Sequence, residues 1–236
     1  MTIDISYFEH WIIAPYAICL FASILIGLIY IALSLKHSGM KWEHISYILL
    51  LDFISILLLG NFTAAVMQKK PPSQAGFTSL GGMAGMLTGV WFSNYIFKEY
   101  RKEITKASVT ALPLIYSISK LGCLAGGCCG GLRAAEPFAV RYVKGDQIIH
   151  DYAIPVQLIE TMAFFCVFLI FVKLKQQISS CQMILICSAV KFFTDFLREV
   201  HTDTMISQNQ IGCLVIMALT VIVYRWRQKE QHSLYR

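Results

Sequence analysis

Charge is what this chain has least of. Asp, Glu, Lys and Arg together make 14% of its 236 residues, against about 25% in an average soluble domain. That scarcity excludes a soluble nucleic-acid binder and a disordered chain, both of which need abundant charge. A basic n-region is also missing. The opening MTIDISYFEH is acidic and no A-x-A-like site follows the first apolar run, so no cleavable signal peptide is expected. Cysteine is not scarce, at eight, but Cys19, Cys166, Cys181, Cys187 and Cys213 are scattered in or beside apolar runs. There they serve as small hydrophobes, which excludes a small disulfide scaffold. What fills the space is apolar. Residues of the AVILMFWYC class reach 56% and the mean hydropathy is +0.60, which makes this an integral membrane protein. The net charge of +6 and a pI near 8.9 then need no acidic partner, because Lys and Arg collect in cytoplasmic loops.

A spanning helix needs about 20 predominantly apolar residues, since lipid offers no partner for a backbone amide. Seven such stretches can be read, at roughly Ile12–Leu35, Ile45–Met67, Leu80–Phe97, Ala107–Gly122, Pro155–Leu174, Met183–Leu197 and Gln210–Trp226. The expected fold is therefore all-α and polytopic, a single integral membrane domain over residues 1–236. The third and fourth stretches are rich in Gly and Ser, which suits close helix packing. The sixth contains Lys191 and Asp195. On the side of the first loop lie twelve Lys and Arg, and on the N-terminal side six. The positive-inside bias places the N-terminus outside and the C-terminus in the cytoplasm. The longest connection, about Cys123 to Ile154, then faces the extracytoplasmic side, and its length marks it as functional.

An ionisable group inside a span is costly and normally faces a polar cavity. Asp52, Lys120, Glu160 and the set Lys191, Asp195 and Arg198 qualify, with Gln157 beside Glu160. Spacings of four and three put Lys191, Asp195 and Arg198 on one helix face. They form either an ion-pair ladder locking the bundle or a cavity wall offering cations to an anionic headgroup. Lys120 favours the second, because a glycine-rich turn, Gly122-Cys123-Leu124-Ala125-Gly126-Gly127-Cys128-Cys129-Gly130-Gly131, follows it. Glycines there let backbone amides approach a ligand. The three cysteines of the turn lack a second ligand pair at zinc-like spacing, so no metal and no cofactor is expected. They serve packing or, alternatively, Cys128 and Cys129 form a redox pair. A second cluster, Gly81-Gly82-Met83-Ala84-Gly85, opens the third span. It is read either as a small-xxx-small helix contact or as amides facing the headgroup.

The ordered set of motifs resembles the bacterial prolipoprotein diacylglyceryl transferase family over nearly the whole chain. Pro15-Tyr16-Ala17 is similar to the family's Tyr-Gly element. Thr78-Ser79-Leu80-Gly81-Gly82-Met83-Ala84-Gly85 looks like Ser-Phe-His-Gly-Gly-Leu-x-Gly, and Ser119-Lys120-Leu121-Gly122-Cys123 like Gly-Arg-x-Gly-Asn. Ile154-Pro155-Val156-Gln157-Leu158-Ile159-Glu160 resembles His-Pro-Ser-Gln-Leu-Tyr-Glu. Lys191-Phe192-Phe193-Thr194-Asp195-Phe196-Leu197-Arg198 resembles Arg-Phe-x-x-Glu-Phe-x-Arg, and Gln208-Asn209-Gln210-Ile211 the Gly-Gln-x entry to the last span. Leu80 and Ile154 stand where the family has His, Cys123 where it has Asn, and Lys120 and Lys191 where it has Arg.

The resemblance implies a transferase of the bacterial cell membrane that moves a diacylglyceryl group from phosphatidylglycerol, or another anionic glycerophospholipid, to a prolipoprotein cysteine thiol. Alternatives are a non-catalytic lipid-binding or assembly protein with the same fold, or a membrane thiol–disulfide oxidoreductase. The implied catalytic residues are Lys120, Glu160, Asp195 and Arg198. Tyr16, Gly81, Gly82, Gly122, Gln157 and Lys191 are the implied substrate-binding residues. Glu160, Asp195 and His201 are the candidates for a base.

Overall fold

The computed structural model describes residues 2–4, 15–135, 139–144, 147–174 and 177–234. Among the described residues seven long helices are present: α1 (Pro15–His37), α2 (Trp42–Gln68), α4 (Ser79–Ile96), α5 (Arg101–Ala125), α6 (Val156–Lys173), α7 (Ser180–Asp195) and α8 (Gln208–Leu234). A single-turn α3 (Pro72–Ala75) sits between α2 and α4. The protein is a multi-pass membrane protein of helical architecture. Five helices (α1, α2, α5 with its leading 3-10 turn, α6 and α8) are each long and apolar enough to cross a membrane. The other two, α4 and α7, fall outside that group. α4 is diluted by Gly, Ser and Asn, and α7 has only 16 residues.

Helix ends follow local chemistry more than the edges of apolar runs. α5 begins six residues before the apolar stretch that marks it, because its polar first turns, Arg101–Lys106, are good helix formers. Thr78 caps α4 by accepting from the Gly81 amide at 3.2 Å. Ser179 and Gln182 close a reciprocal capping box on α7. Ser207 and Gln210 make the same exchange at the start of α8, at 3.1 and 3.0 Å. Residues 12–14 of the first expected span lie outside the described residues.

The helices pair as α1 with α5, α2 with α4, α5 with α6 and α7 with α8. α5 is the central helix and most of its apolar stretch is buried, whereas the other four spanning helices bury a third or less of theirs. Their outward faces carry large apolar side chains such as Leu33, Leu58, Phe62, Met162 and Ile222, the surface a hydrocarbon solvent requires. α4 lies against α2 along Gly81, Gly85 and Gly89. A Cβ at these positions would strike the Leu59 carbonyl, the Ser55 carbonyl and Asp52 respectively. This is the small-residue contact that lets two backbones approach within a membrane. Asp52 is buried in the same seam, where the Ser108 hydroxyl of α5 donates to it at 3.5 Å.

The Cys123–Ile154 connection is more ordered than a loop. It holds a hairpin, β2 (Val140–Lys144) with β3 (Gln147–Ala153), and the N-terminal β1 (Thr2–Asp4) adds to β2 in parallel. Tyr142, fully buried under this sheet, has its hydroxyl pushed up to about 12 by burial. The β1–β2 pairing ties the N-terminus to the connection that follows α5, so both lie on one side of the helices.

Candidate active site

Glu160, in the second turn of α6, is fully buried and gathers the site. Lys120 of α5 approaches it at 3.0 Å, Lys191 of α7 at 2.6 Å and Arg198, just past α7, at 3.2 Å. The Tyr116 hydroxyl donates to it at 3.0 Å and the Thr194 hydroxyl at 3.4 Å. Each carboxylate oxygen therefore already faces three donors. Asp195 pairs with Lys191 at 2.9 Å and Arg198 at 3.1 Å. It also accepts from the Ser207 hydroxyl and, at 3.3 Å, from the Asn209 amide. Burial pulls the Arg198 guanidinium down and the Glu160 carboxylate more than reverses it, leaving it raised above its ordinary value.

Sequence spacing explains how three distant segments meet. Tyr116 and Lys120 are four apart on α5, so both face α6, and the Tyr116 ring lies under the ammonium groups of Lys120 and Lys191 at 5.1 and 5.9 Å. Arg198 is positioned through its neighbours. The Leu197 carbonyl accepts from the Leu132 amide at 2.9 Å, and the Glu199 amide donates to the Gly130 carbonyl at 3.1 Å. The glycine-rich turn thus clamps the segment that bears Arg198. Gln157 of α6 anchors the same turn by donating to the Cys128 carbonyl. Gly127 and Cys129 take positive φ, 62° and 63°, which reverses the chain and brings Cys129 beside the cations.

Lys120, Lys191 and Arg198 line one cavity of about 370 Å³, within the range of small-molecule sites. Its far walls are apolar, with Leu20, Ile24, Ile56 and Met86 among them. Three cations against two carboxylates leave this end one positive charge in excess. The cavity is polar at one end and oily at the other.

A family model for prolipoprotein diacylglyceryl transferase matches residues 5–226. The chain belongs to that family. No curated protein matches it. Family membership points to a transferase whose substrates are a membrane lipid and a prolipoprotein.

The remaining residues singled out from the sequence divide between cavity and scaffold. Tyr16 and Gly82 line the cavity. Gly81 is packed on α2, and Gly122 abuts Tyr16 and Cys19 of α1. Neither of these two glycines reaches the cavity wall, and neither does Gln157. Leu80, at the family's His position, does line it and also packs on Gly212 of α8. His201 lies 3.8 Å from Asp195 with its other ring nitrogen 3.1 Å from the Thr204 carbonyl, off the cavity wall. Sequence reasoning missed Tyr116 and Ser207, and it read Cys129 as a packing or redox residue without placing it on the cavity wall. The four-residue offset of Tyr116 from Lys120 was the available signal for the first.

Proposed function

We propose that this protein is a bacterial cell-membrane transferase that moves the diacylglyceryl group of phosphatidylglycerol, or a related anionic glycerophospholipid, to the cysteine thiol of a prolipoprotein. The observation that supports it is the trio of buried Lys120 and Lys191 with half-buried Arg198 at the polar end of a largely apolar cavity. The headgroup phosphate sits against the three cations and the acyl side extends along the oily wall. The acceptor sulfur, as thiolate, attacks the glyceryl carbon. A C–S bond forms, the C–O bond to phosphorus breaks, and glycerol phosphate departs with the electron pair. Negative charge grows on the leaving phosphate, and preorganised cations in a low-dielectric site stabilise that change. Glu160 and Asp195 orient the cations. With both its oxygens taken by donors, Glu160 is a positioning residue rather than the base. The N-terminus and the sheet lie outside the cell and the C-terminus in the cytoplasm.

A second reading, a lipid-binding protein without turnover, draws on Leu80, which puts an aliphatic side chain on the wall where the family has an imidazole. Purified protein in nanodiscs, offered phosphatidylglycerol and a lipobox peptide, separates the two. Thioether formation measured by mass spectrometry supports the transferase, and tight lipid binding without product supports the second reading. Charge-assisted contacts contribute about 1.5–3 kcal/mol. Lys120→Met should therefore weaken phosphatidylglycerol binding roughly ten- to a hundredfold. Equal binding by wild type and the Lys120→Met, Lys191→Met double variant overturns the cavity assignment.

A further inference from the structure

Cys123, Cys128 and Cys129 are free thiols whose sulfur atoms all lie within 4.8 Å of one another. Cys123 is buried, Cys129 half-buried, and Cys128 reaches the surface. Three sulfurs bound to one zinc at about 2.3 Å sit roughly 3.8 Å apart in a tetrahedral shell, so the trio needs side-chain rotation of about 1 Å at most to close on an ion. Among the described residues no hydrogen bond or ion pair of Glu160 or Asp195 ends on these thiols, although Cys129 lies near enough to Lys120 and Arg198 to feel their charge. The turn that holds them is fixed from three directions: the Cys128 amide donates to the Cys123 carbonyl at 3.2 Å, Gln157 holds the Cys128 carbonyl, and Glu199 holds Gly130. The absence of a second cysteine pair argues against a closed structural site. A reactive zinc site, by contrast, uses three protein ligands and leaves the fourth position open. Among the described residues no further His, Cys, Asp or Glu joins the three. Cys123 and Cys129 line the cavity that holds Lys120 and Arg198.

We infer that Cys123, Cys128 and Cys129 bind one Zn²⁺ with its open position toward the cavity, where it takes the thiolate of the acceptor. Thiolate ligands select soft, thiophilic ions such as zinc, and a thiol that coordinates zinc loses its proton outright. The balance is simple. The acceptor S–H gives its proton to water on binding zinc, and the zinc-bound sulfur then attacks the glyceryl carbon. The C–S bond replaces the C–O bond and no electron changes owner. The metal thus does the work of a base at a site whose wall has Leu80 in place of the family's His. Lys120 and Arg198 offset the negative charge that three thiolates bring. The acceptor role rests on the transferase reading, whereas the metal site does not.

The test uses the full chain purified in detergent under reducing conditions, with zinc measured by elemental mass spectrometry. One zinc per chain is expected. Cys123→Ser, Cys128→Ser and Cys129→Ser should each lower zinc affinity by more than the roughly 10–100-fold that a mere supporting residue costs, while Cys166→Ser, on an exposed face of α6, should not change it. Cobalt loaded in place of zinc should show thiolate charge-transfer absorption that shifts when a cysteine-containing lipobox peptide is added, and not with its serine analogue. No zinc in the wild type, zinc retained by the triple Cys→Ser variant, or a metal-free disulfide between two of the three overturns the site. Zinc held by the trio with a cobalt spectrum indifferent to the peptide overturns the acceptor role. Thioether formation from phosphatidylglycerol and a lipobox peptide in nanodiscs reports separately on the transferase reading.

Discussion

Glu160→Gln removes the one carboxylate that, among the described residues, Lys120, Lys191 and Arg198 share. The change keeps size but turns one acceptor oxygen into an N–H donor among donors, and it leaves Asp195 as the remaining carboxylate for three cations, so the excess rises from one positive charge to two. Glu160 has no exposed surface and the three cation side chains are 4–13% exposed, which leaves little water to screen the imbalance. Removing one partner of a buried pair costs about 3–5 kcal/mol, a large part of a total stability of roughly 5–15 kcal/mol. Unfolding in mixed micelles, followed by circular dichroism, measures the loss. Glu160→Gln combined with Lys191→Met restores the original excess and should recover about 0.5–3 kcal/mol, the size of coupling between residues in one network. The reasoning fails if Glu160→Gln stays within about 0.5 kcal/mol of wild type, or if the two changes are simply additive.

Other outcomes follow from separate features. Gly85→Leu forces α4 off the Ser55 carbonyl of α2 and should destabilise by about 1–3 kcal/mol in the same unfolding assay, an unchanged value refuting the close contact. Ser207→Ala removes both the cap of α8 and a donor to Asp195. A loss of about 1–3 kcal/mol is expected, with an unchanged value refuting the coupling of cap to site. A cysteine at exposed Gln147, in a background without other cysteines, should react with an impermeant reagent in intact cells, and labelling only after lysis would reverse the orientation. Lys120→Arg should keep phosphatidylglycerol affinity within about threefold of wild type, since it retains the charge and adds a fork; a hundredfold loss would show that shape, not charge, rules that position.

Five of the helices were legible because hydrocarbon thickness sets a length that composition must fill, whereas α4 and α7 showed only as shorter or diluted apolar stretches. The charged members of the site were legible for the complementary reason. Lys120, Glu160, Lys191 and Asp195 stand out as expensive within apolar runs. Tyr116 and Ser207 did not stand out, because a tyrosine or serine beside a span is cheap and ordinary. The glycines were ambiguous in a physical sense. Gly81 packs a helix and Gly82 lines the cavity, yet they are neighbours in one motif, and only rotation about the α4 axis separates their roles. The hairpin escaped notice because its strands, VRYVK and QIIHDYA, mix charge with apolar residues and lack clean alternation.

The weak apolar character of α4 and α7 bears on how the protein is made. α7 is about 24 Å long and delivers Lys191 and Asp195 to the middle of the site, so neither it nor glycine-rich α4 would partition alone into lipid. Each reaches its partner in chain order, however. α2 is synthesised before α4 and offers the groove its glycines fit, and α6 precedes α7 and presents Glu160 to receive Lys191. During biogenesis the two reluctant helices enter beside a surface already in place, so Glu160 and the α2 groove act as docking guides for insertion before the site has any lipid to bind.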